Sequence, residues 1–377
     1  MKTPENSRLF EKRTDPVSGV ERYILSPKLF RQQQGFYFCN DCMSADGRYL
    51  WFCIGMRPGE DRLLAVVDFE RDEAYVLEDT LSAYASPYID TETGEAYFLW
   101  KNTIYRRHPA PEAQSEALVT MRTDVPACHI ATHLTRSSDK KKFFLDILDA
   151  NGESYVGLID IETGKFTKWA DCAFHTNHGQ LNPKNDSLAL CAYDDFTHPV
   201  TGVRYGIPSD ENGNYLRLWT YTADGEAATY PPLEGFATHE FWSADGKKIY
   251  YCDPWHGLNR INLETGAHEQ IHACRSWHAF ASTDENYLLY DHKLTSEETF
   301  YRGGPAAVNF VNRKTGKDIA VVSALPPIGT PERPFNYHPD PHPRFVGGEK
   351  YVVFTTTERG TLDVALVSVA HLLKMTE

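Results

Sequence analysis

The stretch THEFWSADGKKIYYCD (238–253), with LNRINLETGAHEQI (258–271) close behind it, decides the fold. Each half holds two short runs rich in aromatic and β-branched residues around a tight turn, D-G at 245–246 and E-T-G at 264–266. Turns of this kind need φ > 0, which Gly or Asn supplies most readily. Two such hairpins in succession make a unit of four short strands.

The unit recurs. Reading outward, the chain divides into seven: Gly35–Leu77, then units starting at Ser82, His129, His175, Thr238, Arg275 and Tyr337. Four strands per unit at a spacing of roughly 40 to 60 residues is the pattern of β-propeller blades. One blade cannot bury both of its faces, but seven packed radially can. No amphipathic helix of useful length is expected before Val369 to Lys374. The seventh unit stops after VALVSVA (364–370), one strand short, while DPVSGVERYIL (15–25) resembles the turn and fourth strand of other units. Residues 20–25 are therefore expected to complete the last blade and close the ring, which removes open sheet edges. The whole chain, 1–377, is expected to form one seven-bladed all-β propeller domain.

Composition narrows the partners. A formal charge of −14 over 377 residues argues against nucleic acid, whose binding rests on Lys and Arg neutralising phosphates. It leaves room for a short anionic ligand in a local positive pocket. No apolar run is long enough to span a bilayer, so no membrane association is expected. The N-terminal MKTPENSRLFEKR lacks the apolar core of a secretory signal. The eight cysteines show no framework spacing, and Cys39 and Cys42 read as buried thiols, which suits a reduced, cytoplasmic protein. The oligomeric state is not readable from these features.

Two features carry chemistry. The first is YHPDPHP (337–343), where His338, Asp340 and His342 alternate with prolines. Proline keeps the run extended, and residues at i, i+2 and i+4 of an extended chain share one face. The second comes from taking a hairpin marker in each unit (Asp46, Thr93, Asp139, Asp186, Asp245, Asp284, Gly347) and stepping back six residues. This gives Asn40, Pro87, His133, Gln180, His239, His278 and Pro341. By approximate symmetry these positions ring one mouth of the central channel. Packing alone does not ask for so many histidines and amides there, although a structural hydrogen bond to a neighbouring strand is the other role open to His133.

The residues at this point resemble a known family. T-H-E-F-W before a D-G turn (238–246), R-L-W (217–219), the closing H-P-x-F (342–345), YFCNDCMSADGRYLWF (37–52) and FLWKNTIYRR (98–107) are similar to oligogalacturonate lyases. The resemblance implies a cytoplasmic seven-bladed propeller that splits short pectin fragments by β-elimination with manganese. It implies that His239 is the catalytic base and that Arg217 receives the substrate carboxylate. His278 and His342 become metal ligands. Asp340 stands where the family has a histidine, and Tyr337 or His338 stands near the family's glutamine ligand. Asn40, His133, His178 and Gln180 are expected to face the substrate.

The chemistry suits these residue types. The C5 proton of a uronide is acidic enough to remove only when the adjacent carboxylate is neutralised. A divalent transition ion on His278, His338, Asp340 and His342 supplies that, and mixed imidazole and carboxylate ligation favours manganese, iron or zinc. Two other readings are a non-catalytic interaction scaffold and a metal-dependent hydrolase or lactonase on the same face. Two insertions, Phe196–Tyr215 and Lys293–Pro305, are expected to overhang the pocket as lids.

Overall fold

The computed structural model describes residues 1–55, 62–82, 85–122, 125–173, 175–295, 305–328 and 339–377. Tyr337, His338 and most of the Lys293–Pro305 insertion lie outside the described residues. Among the described residues, seven antiparallel sheets of four or five strands follow one another along the chain, one per repeat, with a two-stranded ribbon (Phe196–Thr197 and Arg204–Tyr205) in the fourth, and a helix, Val369–Thr376, comes last. The fold is a seven-bladed β-propeller.

The reason lies in the second strand of each blade. Lys248–Asp253 of blade five reads as a continuous apolar run because both its faces are buried. Ile249 and Tyr251 point into the core shared with Leu190 and Leu218 of blade four. Tyr250 and Cys252 point the other way, to Leu288 and Tyr290 of blade six. Leu289 then faces blade seven, where it meets Phe345 and Phe354. Burying one such side chain contributes about 1.5–3 kcal/mol, so each blade is held by neighbours on two sides.

The first turns follow one chemical recipe. In blade five Ser243 Oγ accepts from Lys248 N at 2.9 Å and donates to Asp245 Oδ1 at 2.6 Å, while Gly246 takes φ +69°. Glycine fills the positive-φ position in blades one and five, Gly47 and Gly246. In blades three and six the non-glycine residues Lys140 (φ +61°) and Glu285 (φ +57°) fill it, held by the same Ser–Asp pairs at Ser137 and Ser282.

Ring closure uses both termini. The strand Glu21–Leu25 pairs with Asp363–Ser368 of blade seven, with Ile24 opposite Ala365. It is the fourth strand but not the outermost one. Phe10–Thr14 pairs outside it and makes blade seven five-stranded, which the sequence reading did not foresee. The buried Arg22 of the closing strand is ion-paired to Glu358.

Candidate active site

Strand pairing sets the true register of the channel ring. The inner-strand pairs Met43–Leu50, Ile89–Ala96, Arg136–Phe143, Leu181–Ala189, Trp242–Ile249, Ala281–Leu288 and Phe345–Val352 are equivalent in the seven blades. Three residues before each pair stand Asn40, Ser86, His133, His178, His239, His278 and His342. Five consecutive blades, three to seven, thus carry histidine at one position. Pro87, Gln180 and Pro341 are corrected to Ser86, His178 and His342. Blades two, four and seven lack the Ser-x-Asp first turn of the other four, so their markers Thr93, Asp186 and Gly347 do not sit at equivalent places. Blade four also has one more residue in its turn.

The backbone is distorted where these imidazoles enter the channel. His178, His239 and His342 have φ of +54°, +50° and +49°. Pairing slips between Asn177 and Gln180 and between Thr238 and Phe241, so His178 and His239 each sit on a bulge. Left-handed backbone costs a non-glycine residue about 1–2 kcal/mol, and such strain collects at sites of function. Gly179 makes the blade-four bulge possible, since a Cβ there would lie 2.9 Å from both Asp146 Cγ and Phe144 Cε1.

The imidazoles form a chain around Tyr37. Ring centroids are 5.3 Å apart for His133–His178, 4.1 Å for His239–His278 and 4.2 Å for His278–His342. The Tyr37 ring lies 4.7–6.0 Å from His133, His178, His278 and His342. Burial pushes its phenol well above the usual range, and its hydroxyl has no hydrogen-bond partner among the described residues. Burial likewise pulls His133 and His239 well below the ordinary imidazole value, with the neighbouring His178 and His278 adding to it. Both rings stay neutral.

His278, Asp340 and His342 form the candidate metal centre. One possible ligand atom from each lies within 4.8 Å of the others, and His278 Nε2 is 3.8 Å from Asp340 Oδ2. Nδ1 of His278 lies 2.9 Å from Asp291 Oδ2. The carboxylate can only accept, so Nδ1 carries the proton and the lone pair is on Nε2, which is buried with no partner among the described residues. A ligand histidine braced through its other nitrogen is the usual second partner of a bound metal. The residues fit a divalent transition ion.

Beside this centre lies a charged network that the sequence reading assigned differently. Arg217 is only 2% exposed. Its Nε donates to Asp194 Oδ1 at 2.9 Å and its Nη1 to Glu240 Oε2. Asp194 also receives Asn177 Nδ2, and Glu240 Oε1 is 3.0 Å from His178 Nδ1. Opposed by burial but held by Arg217, Glu240 is pulled down to about 2, and Asp194 well below the usual carboxylate range. Arg217, expected to receive the substrate carboxylate, has its guanidinium set between two internal carboxylates.

No protein-family model and no curated protein sequence matches the chain. Solved structures do. An oligogalacturonate lyase in complex with manganese superposes with a TM-score of 0.73 at 17% identity, covering 96% of this chain and 97% of that one. A crystal structure of oligogalacturonate lyase from Vibrio parahaemolyticus superposes with a TM-score of 0.72, also at 17% identity, covering 96% of each. The chain has the oligogalacturonate lyase fold.

On this oligogalacturonate lyase fold, the ring brings together His133, His178, His239, His278 and His342, with Asp340 beside the last two. Of the amides expected to face the substrate, Asn40 Nδ2 donates to the Leu134 carbonyl at 3.2 Å, and Gln180 Nε2 to the Glu240 carbonyl at 2.9 Å. Both amides tie strands together. Nor does the Phe196–Tyr215 insertion show itself as a lid. Tyr205 Oη donates to the Gly152 carbonyl at 3.0 Å and Phe196 stacks on His175 at 4.0 Å, so it leans on the rim of blades three and four.

Four residues escaped the sequence reading: Tyr37, Asp194, Glu240 and Asp291. A signal existed for Asp291. It ends LLYD (288–291) as Asp146 ends FFLD (143–146), and both accept backbone N–H groups from two adjacent blades. A cavity of about 370 Å³ lies at the opposite end, among the first-turn residues Ser243, Ser282 and Thr283, and takes no part in the ring.

Proposed function

We propose that this protein cleaves short, anionic uronic-acid oligosaccharides by β-elimination, leaving a 4,5-unsaturated uronate. One observation carries the reading: two imidazoles and a carboxylate converge to ligand spacing beside His239, on a propeller shared with oligogalacturonate lyases. His278, Asp340 and His342 would hold a divalent transition ion, manganese first among the candidates because a neighbour of this fold binds it. Such an ion, when bound, neutralises the uronate carboxylate and so makes the adjacent C5 proton easier to remove.

The chain's own residues supply the rest. His239, kept neutral by burial, takes the C5 proton. One positioned base contributes about 10²–10⁴-fold. Asp291 holds His278 in one tautomer and fastens the backbone of both ligand histidines. Arg217 acts from within, as counter-ion to Asp194 and Glu240, and the substrate carboxylate goes to the metal centre.

Purified protein should be incubated with short galacturonate and glucuronate oligosaccharides and manganese. Ultraviolet absorbance of the conjugated double bond and metal content are then read in parallel. Rising absorbance that depends on metal supports the reading. Sugar release without absorbance would make the site hydrolytic, and neither product would leave a binding scaffold.

A further inference from the structure

Elimination moves two protons, and His239 accounts for one. We infer that His178 is the other proton carrier: it protonates the oxygen that leaves C4. The inference rests on the β-elimination reading and names a role which that reading leaves open.

Position comes first. His178 occupies the ring position of His239 one blade earlier, on the same kind of bulge and with nearly the same φ, +54° against +50°. It is the one imidazole of the five that is not buried, with 18% of its side chain exposed. A donor must be recharged from solvent each turnover, and His178 has the most direct access of the five.

The hydrogen bonding comes second. Glu240, whose side chain is fully buried, faces His178 Nδ1 at 3.0 Å and turns its other oxygen to Arg217. A carboxylate accepts only, so Nδ1 keeps a proton and Nε2 is the nitrogen that exchanges one.

Charge comes third. Asp194 and Glu240 are both held ionised around a single Arg217, which leaves one negative charge uncompensated in a buried network. His178 is the imidazole set against that charge, with Nδ1 on Glu240. The other titratable groups facing His178 are the neutral rings of His133, Tyr37, His175 and His239, none of which supplies that charge.

The step balances. The C5–H bond breaks and its proton goes to His239. The electron pair forms the C4=C5 double bond, and the C4–O4 pair leaves with the oxygen. Nε2 of His178 gives that oxygen its proton, and His178 ends neutral with Nδ1–H still on Glu240. Solvent then returns both imidazoles to their starting states. Glu240 is a positioning residue, and His178 is the one that touches the reacting atoms.

The leaving group is the readout. On digalacturonate, His178→Asn, chosen because Asn tolerates positive φ, should lower kcat by about 10²–10⁴-fold. On a galacturonate methyl glycoside carrying 4-nitrophenoxide at C4, a group that departs without a proton, the same variant should stay within about tenfold of the parent. His239→Asn should lose similar ground on both substrates. Glu240→Gln should repeat the His178 pattern at smaller amplitude, and bound manganese should be unchanged in all three variants. Equal losses on both substrates for His178→Asn, loss of its metal, or transfer of the leaving-group dependence to Tyr37→Phe would each overturn the assignment. A parent protein that yields no unsaturated product from any uronide would instead remove the β-elimination reading, and this role with it.

Discussion

Oδ2 of Asp291 lies 2.9 Å from Nδ1 of His278, and the same carboxylate receives the backbone N–H groups of His278 and His342 at 2.8 and 3.2 Å. One acid orients one candidate ligand ring and pins the backbone of two candidate ligands from adjacent blades. Asp291→Asn should weaken manganese binding by about 10–100-fold, the usual effect of losing such a partner. His278→Ala should abolish binding. Calorimetric titration of the metal-stripped protein measures both, and parent-like affinity in Asp291→Asn would contradict the orienting role.

His239 shares a face with the ligand His278 at 4.1 Å but is assigned to the proton and not to the ion. His239→Asn should keep full metal content while kcat falls by about 10²–10⁴-fold. Asn is the better replacement than Ala because φ is +50°, a left-handed conformation that Asn adopts more readily. Absorbance assays with metal analysis on the same sample decide it. A variant that loses its metal would make His239 a ligand.

Gly179 lets the bulge behind His178 form against Asp146 and Phe144. Gly179→Ala should destabilise the protein by about 1–3 kcal/mol through overpacking. Urea unfolding midpoints should show it, and an unshifted midpoint would mean that blade four can move aside.

His129 and His175 sit 5.2 Å apart on the rim of blades three and four. Burial pulls His129 down to about 3 and His175 to about 4. In the unfolded chain both titrate near 6.5. With the folded values depressed, their contribution is complete above about pH 6.5 and is lost as pH falls toward the folded values. Between pH 7 and pH 5 each should remove about 2 kcal/mol of stability. His175→Phe, which keeps the stack on Phe196, should lose less over that interval than the parent. Equal declines by urea unfolding would show that this ring does not drive the loss.

What the amino-acid sequence determined by itself was periodic. Continuous burial on both faces of strands such as Lys248–Asp253, with turn residues at regular spacing, specifies blades and their number, because both are local consequences of pleat and φ. The same periodicity reached His133, His239 and His278, whose blades have an Asp-marked first turn, and the prolines around Asp340 and His342 marked that pair. Only the tertiary structure decided the rest. Ser86 and His178 join the ring through pairing register and a bulge, neither of which can be counted from a turn that lacks the Ser-x-Asp pair. Tyr37 reaches the centre of the ring from the approach to blade one. Arg217 reads in the sequence as a free cation. Its surroundings appear only in three dimensions, where Asp194, 23 residues before it, and Glu240, 23 residues after it, are folded onto its two sides, so that two carboxylates face the guanidinium before any ligand arrives.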